Sequence, residues 1–152
     1  MVEEEHLRAA LAESIRISPE VRVSAQGRSM GQPYAQAVQL IIQGREHAEV
    51  KAGSIILFTG LSGWRAHRVI HILGEGTAVQ YVTRGDANSS FDIPYVTHDR
   101  LLGLVVGWVK GEDEIVFGLR ERLRGWRMVR SGRVRWAWRA FCIRVKGILY
   151  GQ

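Results

Sequence analysis

The sequence has little that would fix a fold covalently or hold it in a bilayer. Its 152 residues include one cysteine, Cys142, so no disulfide can form within the chain. Its longest apolar runs, at 54–58 and 101–109, fall well short of the roughly 20 residues that span a bilayer. The amino end lacks the basic start and continuous apolar centre of a secretory signal. We therefore expect no signal peptide, no transmembrane helix, and a protein that is cytoplasmic or peripheral at the inner membrane face.

Positive charge is concentrated near the carboxyl end. The chain carries a formal charge of +6, but residues 119–146 hold ten Arg or Lys and one acid, so the remainder is at −3. The high isoelectric point thus describes the tail alone, and we do not expect nucleic acid to be the main partner. The tail also contains Trp126, Trp136 and Trp138. Such a segment is suited either to peripheral contact with anionic lipid or to packing on the rest of the chain, and both interpretations stay open.

Short runs of β-branched and aromatic residues, separated by polar turns with glycine, predict a mainly β chain. The predicted strands are 21–25, 37–42, 54–59, 65–73, 78–84 and 102–110. Residues 3–16 precede them and predict a short helix. We therefore expect residues 1–112 to form an antiparallel β domain with an N-terminal helix.

Residues 113–152 predict a basic helical tail. We expect two helical segments, separated by Ser-Gly-Arg at 131–133. In the second segment, apolar residues recur at steps of three and four: Val134, Trp138, Phe141, Val145 and Ile148. The basic residues fall mainly on the other side, and they are Arg135, Arg139 and Lys146. This pattern predicts an amphipathic helix.

Three short motifs contain residues capable of nucleophilic or acid–base chemistry. Ser29 lies in Gly-Arg-Ser-Met, just after a predicted strand. His67 begins His-Arg-Val-Ile, and strand alternation would put it on one face with Val69 and His71. Asp86 lies in Thr-Arg-Gly-Asp-Ala-Asn, and Asp92 follows six positions later. Each motif alone is weak, because a loop serine, a strand histidine or a Gly-Asp turn is usually structural.

In their order and spacing, the three motifs resemble the boxes of the signal peptidase I superfamily of serine peptidases. The strand Gly-Ser-Ile-Ile-Leu-Phe at 53–58, between the first two motifs, belongs to the same pattern. A histidine in the next box is typical of the endoplasmic-reticulum, archaeal and sporulation members. Bacterial housekeeping members and LexA-like repressors carry a lysine there. The resemblance covers about residues 18–110 and implies a coiled antiparallel sheet of the signal peptidase and LexA type.

The resemblance also implies roles for individual residues. Ser29 would be the nucleophile, His67 its base, and Asp92 the group that orients the histidine. Asp86 would shape the turn, or exchange roles with Asp92. The backbone N–H of Ser29 would stabilise the oxyanion, and a second donor stays unassigned. The other residues expected around the oxyanion and the substrate are Gly27, Arg28 and Met30. No metal and no cofactor is implied.

These observations predict a serine endopeptidase that binds an extended peptide as an added strand and cleaves it through an acyl-enzyme. The resemblance implies a leader or signal-type substrate with small residues before the cut. The alternative is a non-enzymatic β module whose basic, Trp-rich tail binds anionic lipid or nucleic acid. Self-cleavage in the manner of the repressors is disfavoured, because Lys51 lies on the wrong side of the strand at 53–58. The sequence leaves the oligomeric state open.

Overall fold

The computed structural model describes residues 2–34 and 39–150, with the side chains of residues 6, 9–34 and 39–139. It contains one antiparallel sheet, with a helix before it and a helix after it. The elements are α1 Val2–Ile17, β1 Val21–Ser24, β2 Gln39–Gly44, β3 Ile55–Gly60, β4 Gly63–Leu73, β5 Gln80–Arg84, β6 Val96–Thr97, β7 Leu101–Lys110, β8 Asp113–Val116 and α2 Leu119–Tyr150. The prediction of a mainly β antiparallel chain with a helix at each end is confirmed. Residues 37–38 of the second predicted strand lie outside the described residues.

The last long strand, β7, returns to the middle of the sheet. The strand order is β1-β2-β7-β3-β4-β5-β6, and β8 pairs with β7 beside this path. One edge of β7 pairs with β2, while its other edge pairs with β3 in its first half and with β8 in its second half. The sheet therefore extends to Val116, and strands far apart in sequence become neighbours.

The sheet is buried on both faces around β3. Ile55 and Leu57 belong to the core on the side of α1, whereas Ile56 and Phe58 belong to a second core on the opposite face. Burial on both faces explains why this strand is a continuous apolar run without polar alternation. It also makes β3 and its neighbour β4 a rigid support for side chains that need fixed positions.

The predicted alternation along β4 is wrong after Ile70. The pairing of β4 with β5 shifts between Val69 and His71, so the strand carries an irregularity of the β-bulge kind. The ring of His71 packs on Trp136 of α2, with 4.9 Å between the ring centroids. Because an extra residue reverses the facing of all that follow it, His71 does not share the face of His67 as predicted.

From Leu119 to Tyr150 the carboxyl-terminal tail is one continuous helix, so the predicted break at 131–133 is wrong; its first residues, Asp113–Val116, form β8 instead. Gly132 lies where α2 crosses β4, and a Cβ there would stand 2.6 Å from Cγ2 of Ile70. A glycine that would weaken an isolated helix thus lets this helix approach the sheet closely. The residues facing the sheet recur at steps of four and three: Glu121, Gly125, Val129, Gly132 and Trp136.

The apolar stripe predicted for the tail is not the side that packs on the sheet. Val134 and Trp138 are both about two-thirds exposed, at 68% and 67%. The rest of that stripe, Phe141, Val145 and Ile148, lies outside the described side chains, as does Lys146. The tail therefore packs on the β domain through a different face. Within the described part of the chain, no helix combines the length and the apolarity needed to cross a membrane.

We predict that Gly44→Ala destabilises the protein by about 3 kcal/mol, because the new methyl group overpacks the junction between α1 and β2. A Cβ at Gly44 would lie 2.2 Å from the carbonyl oxygen of Ile15 and 2.5 Å from that of Ser18. Both contacts are with backbone atoms, which a side-chain rotation cannot relieve. Urea unfolding monitored by circular dichroism measures the effect.

Gly118→Ala is the matched control, since no heavy atom lies within 4 Å of a Cβ built there. Its loss should stay below about 1 kcal/mol, in keeping with a helix-cap position. Equal destabilisation by both variants would contradict the proposed close approach of α1 to β2.

Candidate active site

Ser29, His67 and Asp92 form a continuous hydrogen-bonded chain. Nε2 of His67 lies 2.9 Å from Oγ of Ser29, and Nδ1 lies 2.7 Å from Oδ2 of Asp92. In the tautomer with its proton on Nδ1, the ring donates to Asp92 and accepts from the Ser29 hydroxyl. The structure thus brings together the three residues that the sequence motifs single out.

A sharp turn of the backbone presents Ser29 to the histidine. The segment that follows β1, residues 25–34, is called here the Ser29 segment. Gly27 in this segment has φ = +121°, a conformation that side-chain-bearing residues rarely adopt. The N–H of Ala87 donates to the carbonyl oxygen of Ser29 at 2.9 Å. The serine is therefore attached to the turn after β5 independently of its side chain.

His67 is held in place by the interior of the protein. It pairs with Ile56 in the β3–β4 register, and the whole residue is only 4% exposed. Its ring packs in an edge-to-face arrangement with the ring of Phe58, with 6.0 Å between the centroids. Because the ring is enclosed, its two nitrogens have fixed directions, one toward Ser29 and the other toward Asp92.

Asp92 is anchored to the end of β5. Its Oδ2 accepts a hydrogen bond from Oγ1 of Thr83 at 2.7 Å, in addition to the one from His67. Its backbone N–H donates to the carbonyl oxygen of Thr83 at 2.9 Å. Two donors on one carboxylate oxygen and a backbone bond restrict the carboxylate to a single orientation. This is the arrangement needed to fix the tautomer of the histidine.

Asp86, the other carboxylate considered for this place, has a different partner. Nε and Nη2 of Arg68 donate to its two oxygens at 2.8 and 2.7 Å, a bidentate pair. The side chains of Arg68 and Asp86 are 0% and 2% exposed. Of the two candidates, the structure brings Asp92 to His67 and gives Asp86 to Arg68.

Arg68 also joins segments that are distant in sequence. Its Nη1 donates to the carbonyl oxygen of Gly53 at 2.8 Å and lies 2.7 Å from Oε1 of Glu121, in the first turn of α2. Its Nη2 lies 3.3 Å from the hydroxyl of Tyr34, which itself donates to Glu121. Burial by itself would lower the pKa of Arg68, but the bonds to Asp86 and the charges of Asp86 and Glu121 raise it above the usual value. The guanidinium is therefore charged at all relevant pH values.

Tyr34 connects this network to the Ser29 segment. Burial, followed by its bond to Glu121, raises the pKa of the Tyr34 hydroxyl above its usual value. The phenol is therefore neutral and acts as a hydrogen-bond donor to Glu121. Its ring packs edge-on against Phe117, with 6.0 Å between centroids.

A cavity of about 350 Å³ opens beside the serine hydroxyl. Its polar lining consists of Ser24, Gln26, Ser29, Arg65, His67 and Asn88. Its apolar walls come mainly from β2, β3, β4 and the Ser29 segment, and they include Leu40, Ile55, Leu57, Trp64, Ala66, Met30 and Tyr34. Gly27 and Met30, both expected near the substrate, line this cavity, whereas Arg28 is exposed.

Thr83, Arg68 and Tyr34 support the site although the sequence did not single them out. Arg68 offered a usable signal, since a charged residue inside an otherwise apolar strand requires buried partners. Thr83 stands in the same motif as Asp86, but only the folded turn after β5 brings it to Asp92. Tyr34 gave no signal, because its partner Glu121 lies 87 positions away.

Comparison with family models, with curated proteins and with solved structures finds no match to this chain. Among the described residues, no group of three or more His, Cys, Asp or Glu side chains is placed to hold a metal ion. The chemistry of the site therefore has to be inferred from its own geometry.

We predict that Asp86→Asn lowers the free energy of unfolding by about 3–5 kcal/mol, because it leaves a fully buried guanidinium without its bidentate partner. The shift of the urea midpoint at unchanged slope measures this loss. Glu46→Gln is the control, since Glu46 pairs with Arg45 at 3.0 Å but is 54% exposed. It should cost less than about 1 kcal/mol. Similar losses in both variants would contradict a structural role for the Arg68–Asp86 pair.

Proposed function

We propose that the chain is a serine endopeptidase of the signal peptidase I type, which cleaves a leader or signal-type peptide through an acyl-enzyme. The observation that carries this proposal is the hydrogen-bonded chain from Ser29 through His67 to Asp92. A serine hydroxyl is a poor nucleophile at neutral pH and needs a base within hydrogen-bond reach. The order of the motifs along the sequence supports the same assignment and the same coiled-sheet type.

In the first step, Oγ of Ser29 attacks the peptide carbonyl while its proton moves to Nε2 of His67. Asp92 stabilises the resulting imidazolium through Nδ1–H, and Thr83 keeps the carboxylate in place. The imidazolium then gives its proton to the leaving amine, which releases the carboxyl-terminal product. A water molecule, deprotonated by the same ring, finally hydrolyses the ester and restores the serine.

The tetrahedral intermediate carries a negative oxygen that needs hydrogen-bond donors. The backbone N–H of Ser29 is the donor that the nucleophile's own position supplies. The bond from Ala87 to the carbonyl oxygen of Ser29 fixes the peptide plane on the other side of that residue. A fixed backbone at the nucleophile requires little reorganisation as charge develops on the oxyanion.

The surroundings of the serine suit an extended peptide. Strand β1 lies at one end of the strand order, and no strand of the described residues pairs with its outer edge, so an added strand could pair there. Residues 23–27 at the end of this strand line the cavity beside Ser29. A peptide paired with β1 would therefore pass the nucleophile and place a side chain in the apolar cavity.

A purely binding role explains the site less well. A histidine and an aspartate enclosed in a protein interior lose hydration, and an apolar core of the same volume would be at least as stable. Binding of lipid or nucleic acid by the tail needs no such group. The enclosed His67–Asp92 pair, with a serine at its open end, is what an acyl-transfer mechanism requires.

We predict that Ser29→Ala and His67→Ala each reduce peptide cleavage at least about a thousandfold, because the nucleophile or its base is lost. The assay incubates the purified chain with a peptide library containing many extended sequences and identifies new termini by mass spectrometry. Ser62→Ala and His71→Ala are the matched controls and should retain activity, since neither residue belongs to the hydrogen-bonded chain. Undiminished cleavage by Ser29→Ala would rule out this mechanism.

Asp92→Asn should reduce kcat about a thousandfold or more while the protein stays folded, because an amide favours the wrong tautomer of His67. Thr83→Val, which removes one donor to Asp92 and keeps the shape of the side chain, should cost about tenfold. Initial rates on a peptide identified with the wild-type chain measure both effects. If Asp92→Asn retained wild-type kcat, Asp92 would not be the residue that orients the histidine.

A further inference from the structure

The side of α2 that faces away from the sheet carries large apolar residues. Each is more than half exposed, and they are Leu119, Leu123, Trp126, Val134 and Trp138. We call this set the outer stripe of α2. Exposed apolar residues arranged in a row are uncommon on a soluble surface and mark sites of interaction.

The members of the outer stripe lie on one side of the helix. They form two groups at steps of three or four, Leu119, Leu123 and Trp126 in one and Val134 and Trp138 in the other, and a step of eight residues, about two turns, separates the groups. Arg130 occupies the turn between Trp126 and Val134, and its guanidinium lies over the Trp126 ring at 5.6 Å from the centroid. The gap in the stripe is therefore occupied by an arginine whose charged group packs on Trp126.

Rows of arginines flank the outer stripe. Arg120 and Arg127 lie along one border, Arg122 and Arg133 along the other, and all four are exposed. The only acidic residue of α2 is Glu121, which is turned inward to Arg68. The exposed side of the helix, as far as its side chains are described, therefore combines apolar surface with positive charge alone.

The apolar surface continues from the helix to the sheet. A groove of about 1160 Å³ borders the outer stripe where α2 meets the strands, and Trp126, Val134 and Val116 are among its lining residues. Val116, at the end of β8, is 65% exposed. The basic residues Lys51, Arg122, Arg130 and Arg133 also line the groove, so exposed apolar and basic side chains extend together beyond a single helix face.

We propose that the outer stripe of α2 binds the interface of a membrane that contains anionic lipid, with the helix axis parallel to the surface. Apolar side chains would enter the boundary between headgroups and acyl chains, tryptophans would sit at that boundary, and the flanking arginines would meet lipid phosphates. The arginines and the apolar side chains together favour anionic lipid over the other possible partners, because such a membrane offers both negative charge and an apolar interior. A second copy of the chain would bring like-charged arginine rows together, and nucleic acid would leave the apolar side chains in water.

The test uses the full chain carrying Ser29→Ala, so that vesicle binding is measured apart from the proposed peptidase activity. Sedimentation with vesicles of equimolar phosphatidylcholine and phosphatidylglycerol is compared with sedimentation with phosphatidylcholine alone. We expect the chain to partition onto the anionic vesicles at least about tenfold more strongly than onto neutral ones.

The double variant Leu123→Ser and Trp126→Ser removes apolar area from the stripe and leaves every charge in place. It should weaken partitioning onto anionic vesicles at least about tenfold. The matched control is Leu61→Ser with Ile93→Ser, two apolar residues outside α2 that are 82% and 66% exposed. The control should bind within about twofold of the parent, and unchanged thermal unfolding verifies that both variants fold.

Three results would overturn the proposal. One is a lack of sedimentation with anionic vesicles. Another is equal binding by the stripe variant and its parent, which would mean that charge alone acts. The third is tighter binding to a DNA duplex than to anionic vesicles at equal phosphate concentration, which would assign the basic helix to nucleic acid. None of these outcomes depends on whether Ser29 is a nucleophile.

Discussion

The charge of Arg68 is the constraint on which the rest of the structure depends. A guanidinium with 0% side-chain exposure has lost its hydration and must find every partner inside the protein. Its partners lie in four separate segments: Asp86 in the turn after β5, the carbonyl oxygen of Gly53 before β3, Glu121 at the start of α2, and Tyr34 in the Ser29 segment. The hydrogen bonds of this one side chain therefore fix the relative positions of segments that are far apart in sequence, including the one that carries Ser29.

His67 precedes Arg68 on β4, and the two residues have separate acidic partners. Successive side chains of a strand point to opposite faces, so His67 and Arg68 cannot share an acidic partner. Asp92 lies on the side of the histidine and Asp86 on the side of the arginine. One carboxylate is thus left to act on an imidazole, while the other neutralises a permanent charge. His67 and Arg68, adjacent on β4, thus take part in two different networks: His67 with Asp92 and Ser29, and Arg68 with Asp86.

The sequence was informative where local pattern and motif order were sufficient. The β3 strand could be predicted from its residue types, and the grouping of Ser29, His67 and Asp92 from the resemblance of their motifs to the boxes of a known family. The reversal of His71 could not, because the bulge depends on the pairing of β4 with β5. The continuity of α2 through Gly132 could not be predicted either, because glycine weakens an isolated helix. Its advantage here is that it leaves room for Ile70, a contact that exists only in the folded protein. Contacts that form only in the folded chain decided both points.

Glu121 links the position of α2 to the cavity beside Ser29. It contacts Arg68 and Tyr34 at once, and Tyr34 is part of the cavity wall beside Ser29. Any shift of α2 that separates Glu121 from these groups must therefore alter that wall. Thermodynamic linkage between two binding sites is reciprocal. If a ligand of α2 changes the affinity of the cavity for its own ligand, then filling the cavity changes the affinity of α2 for its ligand by the same factor.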